Sequence, residues 1–205
     1  MELLVATKNR KKLREIKEIL KGLGLKITSL VDYPNTPRII ENGKTFKSNA
    51  AKKALKVARF YAKLTLGEDS GLCVASLGNK PGVYSSRFAG KEKSDPKNNE
   101  KVLGLLGKLP LKKRKAHYVC AVSLADKEGL IDTVEGRCWG VIGFEPKGNT
   151  GFGYDPLFVI PKYKKTFAEL GPRIKHKMSH RFRALQKAKK IIQKYIEENR
   201  GRGYN

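Results

Sequence analysis

The chain has 205 residues, enough for one large domain or two small lobes with a real hydrophobic core. Hydrophobic residues make up 40% of it and charged residues 31%, both typical of a globular protein. The apolar runs, such as Val119–Val122 and Leu157–Ile160, are too short to span a bilayer, which argues against a membrane protein. The first residues lack the charged start and long apolar stretch of a secretory signal, so we expect a cytoplasmic protein with no membrane partner.

The charge of the chain is strongly positive. Lys and Arg number 44 against 19 Asp and Glu, a formal net charge of +25. Such a field favours nucleic acid, a membrane surface or a polyphosphate substrate as a partner, and it does not choose among them. The three cysteines, Cys73, Cys120 and Cys138, are far apart and form no zinc-binding spacing, so we interpret them as small core residues of a cytosolic protein.

The chain opens with a predicted strand and helix. Residues 2–6 form a short apolar run, and apolar residues then recur at helical spacing over 13–20. Asn9 or Thr7 is expected to cap this helix, because its side-chain oxygen can accept from unpaired N–H groups. Cations crowd the positive end of the helix, where a bound anion would favour them; the alternative is an ordinary basic surface. These cations are Lys8, Arg10, Lys11 and Lys12.

A second strand is predicted over residues 25–30, followed by a loop over 31–43 that contains two prolines and an Asn-Gly pair. Thr45 then caps a long helix with an alanine-rich face. Glu41 is the only acid between Asp32 and Glu68. It is therefore either a candidate metal ligand or a solvated residue.

The most unusual stretch is an acidic segment at residues 67–72, Gly-Glu-Asp-Ser-Gly-Leu. Glu68 and Asp69 are adjacent carboxylates, and their mutual repulsion is relieved if a divalent cation or a proton lies between or beside them. For an isolated segment of this kind, a solvated acidic turn is the simpler interpretation. The rest of the chain must supply the reason for a metal there.

Strands, loops and helices alternate through the second half of the chain. Residues 84–93 are expected to be irregular and to lead into a mobile surface segment at 92–99. The runs 116–124 and 130–141, joined by Asp-Lys-Glu-Gly, predict a β-hairpin. The other predicted elements are a strand at 72–75, a short helix at 102–109, a glycine-rich loop at 143–156 and a strand at 157–160.

A last helix is predicted from Ser179 to about residue 199, with residues 198–205 as a disordered tail. Ser179 is a good N-cap, yet His180, Arg181 and Arg183 follow it at the positive end of the helix. Two helix starts loaded with cations, in one chain with the acidic segment, would suit a metal–polyphosphate complex. The alternative is chance accumulation in a basic protein.

Six segments of the chain resemble one enzyme family. They are Ala6–Asn9 with Lys12, Glu68–Leu72, Pro81–Arg87, Gly151–Pro156, Lys165–Glu169 and Ser179–Arg181. Their order and spacing, over about residues 2–197, resemble the inosine/xanthosine triphosphate pyrophosphatase family. The Gly-Phe-Gly-Tyr-Asp-Pro and Ser-His-Arg segments together make the resemblance specific.

The resemblance implies an α/β fold. It implies a long twisted mixed β-sheet flanked by helices, with two lobes around a central nucleotide cleft, in a single domain over residues 1–197. It also implies a homodimer that hydrolyses non-canonical purine nucleoside triphosphates (ITP, dITP and XTP) to the monophosphate and pyrophosphate. This Mg²⁺-dependent reaction would cleanse the nucleotide pool.

The resemblance also implies residue roles by position. Asp69 would be the catalytic carboxylate, as a metal ligand or a general base, and Phe152 would stack on the purine. Beside the resemblance, the residues themselves make Glu41 and Glu68 the other candidate metal ligands. Selectivity for a 6-oxo purine requires donors at the base edge, for which Arg181 and backbone amides are the candidates. The phosphates would be held by Thr7, Lys8, Asn9, Arg10, Lys11 and Lys12. The remaining nucleotide contacts would come from Ser70, Gly153, Tyr154, Asp155, Lys175 and His180.

Four positions depart from the family pattern. Lys8 stands where the family usually has Gly, Ser48 where it has Glu, and Ile174 where an acid often occurs. Ile40 replaces a further family Glu. Two alternatives follow for the metal: Glu41 takes over by a shift of one residue, or the acidic segment holds the metal alone.

Two other functions are compatible with the sequence. The charge and the basic stretches at 112–115 and 171–196 suggest a nucleic-acid-binding protein, but no helix-turn-helix, zinc finger or aromatic RNA-binding signature accompanies them. Nucleic acid is therefore expected only as a non-specific electrostatic partner. The closer alternative is a related pyrophosphatase for other modified or canonical nucleotides.

Overall fold

The computed structural model describes residues 1–199, which form eight strands and five helices. The strands are β1 (Glu2–Val5), β2 (Lys26–Ser29), β3 (Thr65–Val74), β4 (Lys80–Pro81), β5 (Lys115–Ala125), β6 (Leu130–Ile142), β7 (Phe158–Ile160) and β8 (Lys165–Thr166). The helices are α1 (Arg10–Ile19), α2 (Phe46–Tyr61), α3 (Asp95–Leu106), α4 (Phe167–Met178) and α5 (His180–Asn199).

The strands form a mixed sheet. Its order is β2-β1-β3-β5-β6-β7-β8, and β4 pairs with β3. Strand β1 runs parallel to β2 and β3, whereas the β3–β4, β6–β7 and β7–β8 pairs are antiparallel. The predicted α/β class, with a mixed sheet flanked by helices, is confirmed. The arrangement of two lobes around a nucleotide cleft stays a prediction.

The chain divides into two compact units. Among the described residues, the first contains 1–69, 120–136 and 181–199, and the second contains 70–119 and 137–180. Strands β3, β5 and β6 each contribute residues to both units. Each unit has a hydrophobic core of its own.

In the first unit, strand β1 presents alternate side chains to two different cores, as expected of a strand. Leu3 packs in a cluster with Ile16 of α1 and Leu185 of α5. Leu4 packs in a second cluster with Val57 of α2. Helix α2 therefore covers one face of the sheet in this unit, and α1 and α5 cover the other.

In the second unit, one cluster joins the strands to helices α3 and α4. Leu106 of α3 and Phe167 of α4 are buried in it with Tyr118 and Phe158. The Phe158 and Phe167 rings lie 5.3 Å apart. This core fixes the glycine-rich loop before β7, because Tyr154 of that loop is buried in it.

Most predicted elements are present, but the segment at 92–99 was wrongly predicted to be mobile. Helix α3 begins at Asp95, seven residues before the predicted helix start, and both Asn98 and Asn99 are buried. Ser94 caps the helix by accepting from the Lys97 N–H at 3.4 Å. The polar composition of the first turn reflects capping and buried amides rather than mobility.

Helix α4 and strand β8 were missed in the sequence analysis. Thr166 starts α4 with a capping box, in which Glu169 accepts from the Thr166 N–H at 2.7 Å. Helix α5 includes residues 198 and 199 of the predicted tail, and residues 200–205 lie outside the described residues. Over residues 1–199, no helix combines the length and the apolar character needed to cross a membrane.

Glu2, at the start of β1, is the centre of a polar network in the first unit. Its carboxylate accepts hydrogen bonds from Thr28, Tyr33 and Lys63 at 2.6, 2.7 and 2.5 Å. Burial raises the pKa of Glu2, but these hydrogen bonds and the charge of Lys63 outweigh it and lower the pKa to about 2. The network ties β1 to β2 and to the end of α2.

We expect Glu2→Gln to lower the free energy of unfolding at pH 7 by about 1–2 kcal/mol, less than the full pKa shift implies because Lys63 is partly exposed. The folded pKa lies below the unfolded value of 4.5, so the stabilisation is present above pH 4.5 and is lost as the pH falls toward 2. Urea unfolding at pH 7 and pH 3 measures the difference from the parent, which should shrink at pH 3. Glu100→Gln, at an exposed site, is the control. A difference independent of pH would contradict the assignment.

Candidate active site

The acidic segment lies inside strand β3 and is buried, so the interpretation as a solvated turn does not hold. Glu68 and Asp69 are 4% and 8% exposed. Successive side chains of a strand point to opposite faces. Glu68 therefore shares a face with Leu66, which packs in the cluster of α1 and α5, whereas Asp69 shares a face with Gly67, which meets α2. Each carboxylate has its own partners.

Gly67 allows helix α2 to approach β3 closely. A Cβ atom on Gly67 would lie 2.2 Å from the carbonyl oxygen of Ala50 and 2.6 Å from the nitrogen of Ala54. Any side chain there would push the helix away from the strand. The close approach brings Asn49 and Lys53, four residues apart on one face of α2, to the same strand.

Asp69 is held by these two residues of α2. Asn49 Nδ2 donates to Asp69 Oδ2 at 3.0 Å, and Asn49 Oδ1 accepts from the Gly43 N–H at 2.7 Å. Lys53 Nζ lies 3.5 Å from Asp69 Oδ1 and donates to Glu41 Oε2 at 2.7 Å. One ammonium group is thus flanked by the carboxylates of Asp69 and Glu41.

Burial and charge set the protonation of this group. Burial raises the pKa of Asp69, and the charges of Lys53 and Lys12 and the hydrogen bond from Asn49 offset only part of the rise. Burial lowers the pKa of Lys53, but the charges of Asp69 and Glu41 outweigh it, so that the pKa is raised. The site therefore combines a carboxylate that binds a proton more readily than an ordinary Asp with a lysine that stays charged.

Glu68, on the other face of β3, is bound by two cations. Arg181 Nη2 donates to Glu68 Oε1 at 3.1 Å, and Lys12 Nζ lies 3.0 Å from Glu68 Oε2. The thiol of Cys120 donates to Glu68 Oε1 at 3.3 Å. Arg181 also donates to Glu15. Burial lowers the pKa of Arg181, but the charges of Glu68 and Glu15 outweigh it and raise the pKa.

The start of α1 is capped by Asn9, one of the two predicted caps. Asn9 Oδ1 accepts from the N–H groups of Lys11 and Lys12 at 3.0 and 3.1 Å, and Thr7 Oγ1 accepts from the Asn9 N–H at 3.1 Å. The Asn9 side chain thus binds two of the N–H groups at which an anion was expected. The side chains of Lys8 and Arg10 are exposed at this helix start.

Phe152 lies within the glycine-rich loop of the second unit. Asp155 Oδ2 accepts from the Phe152 N–H at 2.9 Å and from Lys175 Nζ at 2.7 Å. Lys175 Nζ also lies 4.5 Å from the centre of the Phe152 ring. Tyr154 donates to the Ser85 carbonyl oxygen at 2.8 Å. The loop therefore holds a partly buried aromatic ring beside a buried cation.

The predicted site residues fall into two groups, one in each unit. In the first unit, Asp69 lies near Glu41, while Glu68, Lys12 and Arg181 form the separate cluster on the other face of β3. In the second unit, His180 stacks on Tyr118 with the ring centres 4.5 Å apart. The other members of the second group are Ser70, Phe152, Gly153, Tyr154, Asp155 and Lys175.

Comparison with known proteins identifies the family. The model of the Ham1 family matches residues 3–191. The chain belongs to the Ham1 family. A dITP/XTP pyrophosphatase of Desulforamulus reducens is 47% identical over 97% of this chain and 99% of its own length. One of Shouchella clausii is 45% identical over 94% of this chain and 96% of its own length.

A solved structure supports the same Ham1 assignment. The HAM1 protein from Coxiella burnetii superposes with a TM-score of 0.86 and is 36% identical, covering 95% of this chain and 99% of that one. The family resemblance stated from the sequence is therefore confirmed. The roles of individual site residues stay predictions.

Three residues of the candidate site in this Ham1-family chain were missed in the sequence analysis: Glu15, Asn49 and Lys53. Asn49 and Lys53 carried a usable signal, because they are polar residues four apart on the predicted alanine-rich helix. Glu15 carried none, since its partner Arg181 is 166 residues away in the sequence.

We expect Lys53→Met to raise the pKa of Asp69 further, because it removes the cation that lies 3.5 Å from Asp69 Oδ1. NMR titration of the Asp69 carboxyl carbon measures this directly. A raised folded pKa makes ionisation of Asp69 costly, so the variant should lose stability at neutral pH and regain it as the pH falls and Asp69 is protonated. Lys52→Met is the matched control, since Lys52 is exposed and donates to Asn42 rather than to Asp69. An unchanged Asp69 pKa would refute the pairing.

Proposed function

We propose that this protein hydrolyses non-canonical purine nucleoside triphosphates (ITP, dITP and XTP) to the monophosphate and pyrophosphate. The observation that carries the proposal is buried Asp69, with a raised pKa, between Asn49 and Lys53. It occurs in a Ham1-family chain whose relatives are named dITP/XTP pyrophosphatases. A proton-binding carboxylate beside a permanent cation suits phosphoanhydride hydrolysis, which needs both an oriented water and charge neutralisation.

Asp69 is proposed to accept a proton from the attacking water. The water oxygen bonds to the α-phosphorus, and the bond from this phosphorus to the β-phosphate oxygen breaks. The water proton passes to the Asp69 carboxylate, and pyrophosphate leaves. Asn49 would keep the carboxylate oriented, and Lys53 would reduce the repulsion between it and the phosphates.

A divalent cation fits the carboxylates near Asp69. Within residues 1–199, no three His, Cys, Asp or Glu side chains form a metal-binding group. Mg²⁺, however, is commonly held by one or two carboxylates with substrate and water oxygens. Asp69 and Glu41, which flank one ammonium group, are the pair that would hold it; Glu68 is already neutralised by Arg181 and Lys12. When bound, Mg²⁺ would neutralise phosphate charge.

The phosphates are proposed to bind at the start of α1. Lys8 and Arg10 are exposed there, at the positive end of the helix dipole. Because Asn9 already occupies the N–H groups of Lys11 and Lys12, side-chain cations rather than those two amides would make most of the contacts. Lys12 would contribute while remaining paired with Glu68.

The purine is proposed to stack on Phe152. Lys175 lies beside the ring, and Asp155 of the same loop binds both Lys175 and the Phe152 N–H. Arg181 is proposed to act on the base edge, where a donor would favour a 6-oxo purine and would face the amino group of ATP without a partner. The homodimer and the cytoplasmic location implied by the resemblance stay predictions.

We expect Asp69→Asn to keep the fold and to lower the rate of pyrophosphate release from ITP by about a hundredfold or more, since an amide cannot accept the proton. Assays with ITP, dITP, XTP and the four common nucleotides, each scored for pyrophosphate and orthophosphate, measure both activity and selectivity. Asp132→Asn, at an exposed site, is the control. Turnover retained by Asp69→Asn would refute the assignment of the base. Equal turnover of ATP and ITP by the parent would refute the substrate class.

We expect Glu41→Gln to raise the Mg²⁺ concentration needed for half-maximal activity, by about tenfold if the lost carboxylate contributes about 1.4 kcal/mol. Titration of activity with Mg²⁺ at saturating ITP measures the shift. Glu92→Gln, at an exposed glutamate that pairs with Lys97, is the control. An unchanged titration would exclude Glu41 and leave Asp69 as the carboxylate ligand.

A further inference from the structure

Two side chains near the start of helix α3 bind the backbone N–H and the backbone carbonyl group of Gly153. Asp95 Oδ2 accepts from the Gly153 N–H at 2.7 Å, and Asn99 Nδ2 donates to the Gly153 carbonyl oxygen at 3.0 Å. Asp95 and Asn99 are four residues apart, so their side chains lie on the same face of the helix. Both side chains therefore bind one residue of the glycine-rich loop from the same side.

Gly153 has a backbone conformation that needs such support. Its φ is 64°, in the left-handed region that residues with a side chain rarely adopt. A Cβ atom at Gly153 would meet no other atom within 4 Å, so the glycine is needed for its conformation and not for space. The residue before it is Phe152, whose carbonyl group forms a peptide bond with the nitrogen that Asp95 binds.

Phe152 is thus fixed on both sides by different elements. On its N-terminal side, its own N–H is bound by Asp155 at 2.9 Å, and Asp155 is held in turn by Lys175. On its C-terminal side, the peptide nitrogen of Gly153 is bound by Asp95. With both flanking amides bound, the backbone at Phe152 cannot rotate without breaking one of these hydrogen bonds. The Cα–Cβ bond of Phe152 therefore keeps one direction, and the ring extends from it beside Lys175.

The Asn99 side chain has one unfavourable feature. Asn99 is 7% exposed, and within residues 1–199 its Oδ1 atom is buried with no hydrogen-bond partner. An unsatisfied buried acceptor is costly. From this position, the other end of the same amide reaches the carbonyl oxygen of Gly153.

We propose that Asp95 and Asn99 are positioning residues that set the orientation of the Phe152 ring for stacking on the base. The proposal rests on the proposed function, because it needs the ring to contact a purine. Neither residue touches the substrate; both act through Gly153. Their loss should therefore weaken recognition of the base end of a nucleotide and leave recognition of its phosphate end unchanged.

The test is binding of inosine monophosphate and of pyrophosphate, each measured by calorimetry on the full chain. We expect Asp95→Ala to weaken the binding of inosine monophosphate by about tenfold, as for the loss of one charge-assisted hydrogen bond, without changing the binding of pyrophosphate. For ITP turnover, KM should rise while kcat changes little. Asp95→Asn keeps an acceptor and should restore most of the affinity for inosine monophosphate.

Ser94→Ala is the matched control, because it removes the cap of the same helix without contacting Gly153. It should lower the melting temperature at least as much as Asp95→Ala does and leave both affinities unchanged. If Ser94→Ala weakens inosine monophosphate binding equally, the effect is general loosening of α3 and the proposal is wrong. The proposal is also wrong if Asp95→Ala weakens both ligands alike.

Asn99→Ala provides a second, independent variant. It should weaken inosine monophosphate binding in the same direction, and the double variant should lose less than the sum of the two, since both residues hold Gly153. Full additivity would contradict a shared action. Wild-type protein that hydrolyses ITP while all three variants keep full affinity would refute this proposal alone; a wild type without ITP turnover would refute the proposed function.

Discussion

The first unit is organised by the need to neutralise two adjacent carboxylates inside a buried strand. Removing an ion from water costs several kcal/mol, and two like charges in neighbouring residues add repulsion to that cost. The pleat of β3 sends Glu68 and Asp69 to opposite faces, so each needs cations from a different helix. Arg181 of α5 and Lys12 of α1 form ion pairs with Glu68, and Lys53 of α2 forms one with Asp69.

The two carboxylates are not neutralised equally, and this difference suggests different roles for Glu68 and Asp69. Glu68 has two cations and a thiol, and Arg181 is shared with Glu15. Asp69 shares Lys53 with Glu41, and burial keeps the pKa of Asp69 raised. A carboxylate whose charge is already balanced by bound cations attracts a further proton or metal ion only weakly. A carboxylate that is less neutralised can bind a proton or a metal, and this is the reason that we propose Asp69 rather than Glu68 as the reactive member of the pair.

Local pattern predicted the strands and the longer helices, because periodicity and caps report on nearby residues. Prediction from local pattern failed where polar residues are buried in the interior of the protein. The Ser-Asp-Pro start of α3 is a good helix start, yet its polar surroundings were interpreted as mobile, and Asn99 is buried. It also failed for partners distant in the chain, such as Arg181 and Glu15. The two carboxylates of the acidic segment point to opposite faces because β3 is one continuous strand. The glycines within this strand made a turn the simpler prediction.

Lys53 lies between Asp69 and Glu41, the two carboxylates that are proposed to hold a divalent cation. One positive group between two carboxylates leaves the trio with a net negative charge, which by itself repels a triphosphate. A cation that arrives with the phosphates would bring the missing charge, and it would compete with Lys53 for the same oxygens. On the proposed function, metal binding and the placement of Lys53 are therefore one equilibrium. On that proposal, Lys53 would stabilise the two carboxylates when no cation is bound, and a divalent cation held by the same oxygens would weaken its contacts with them.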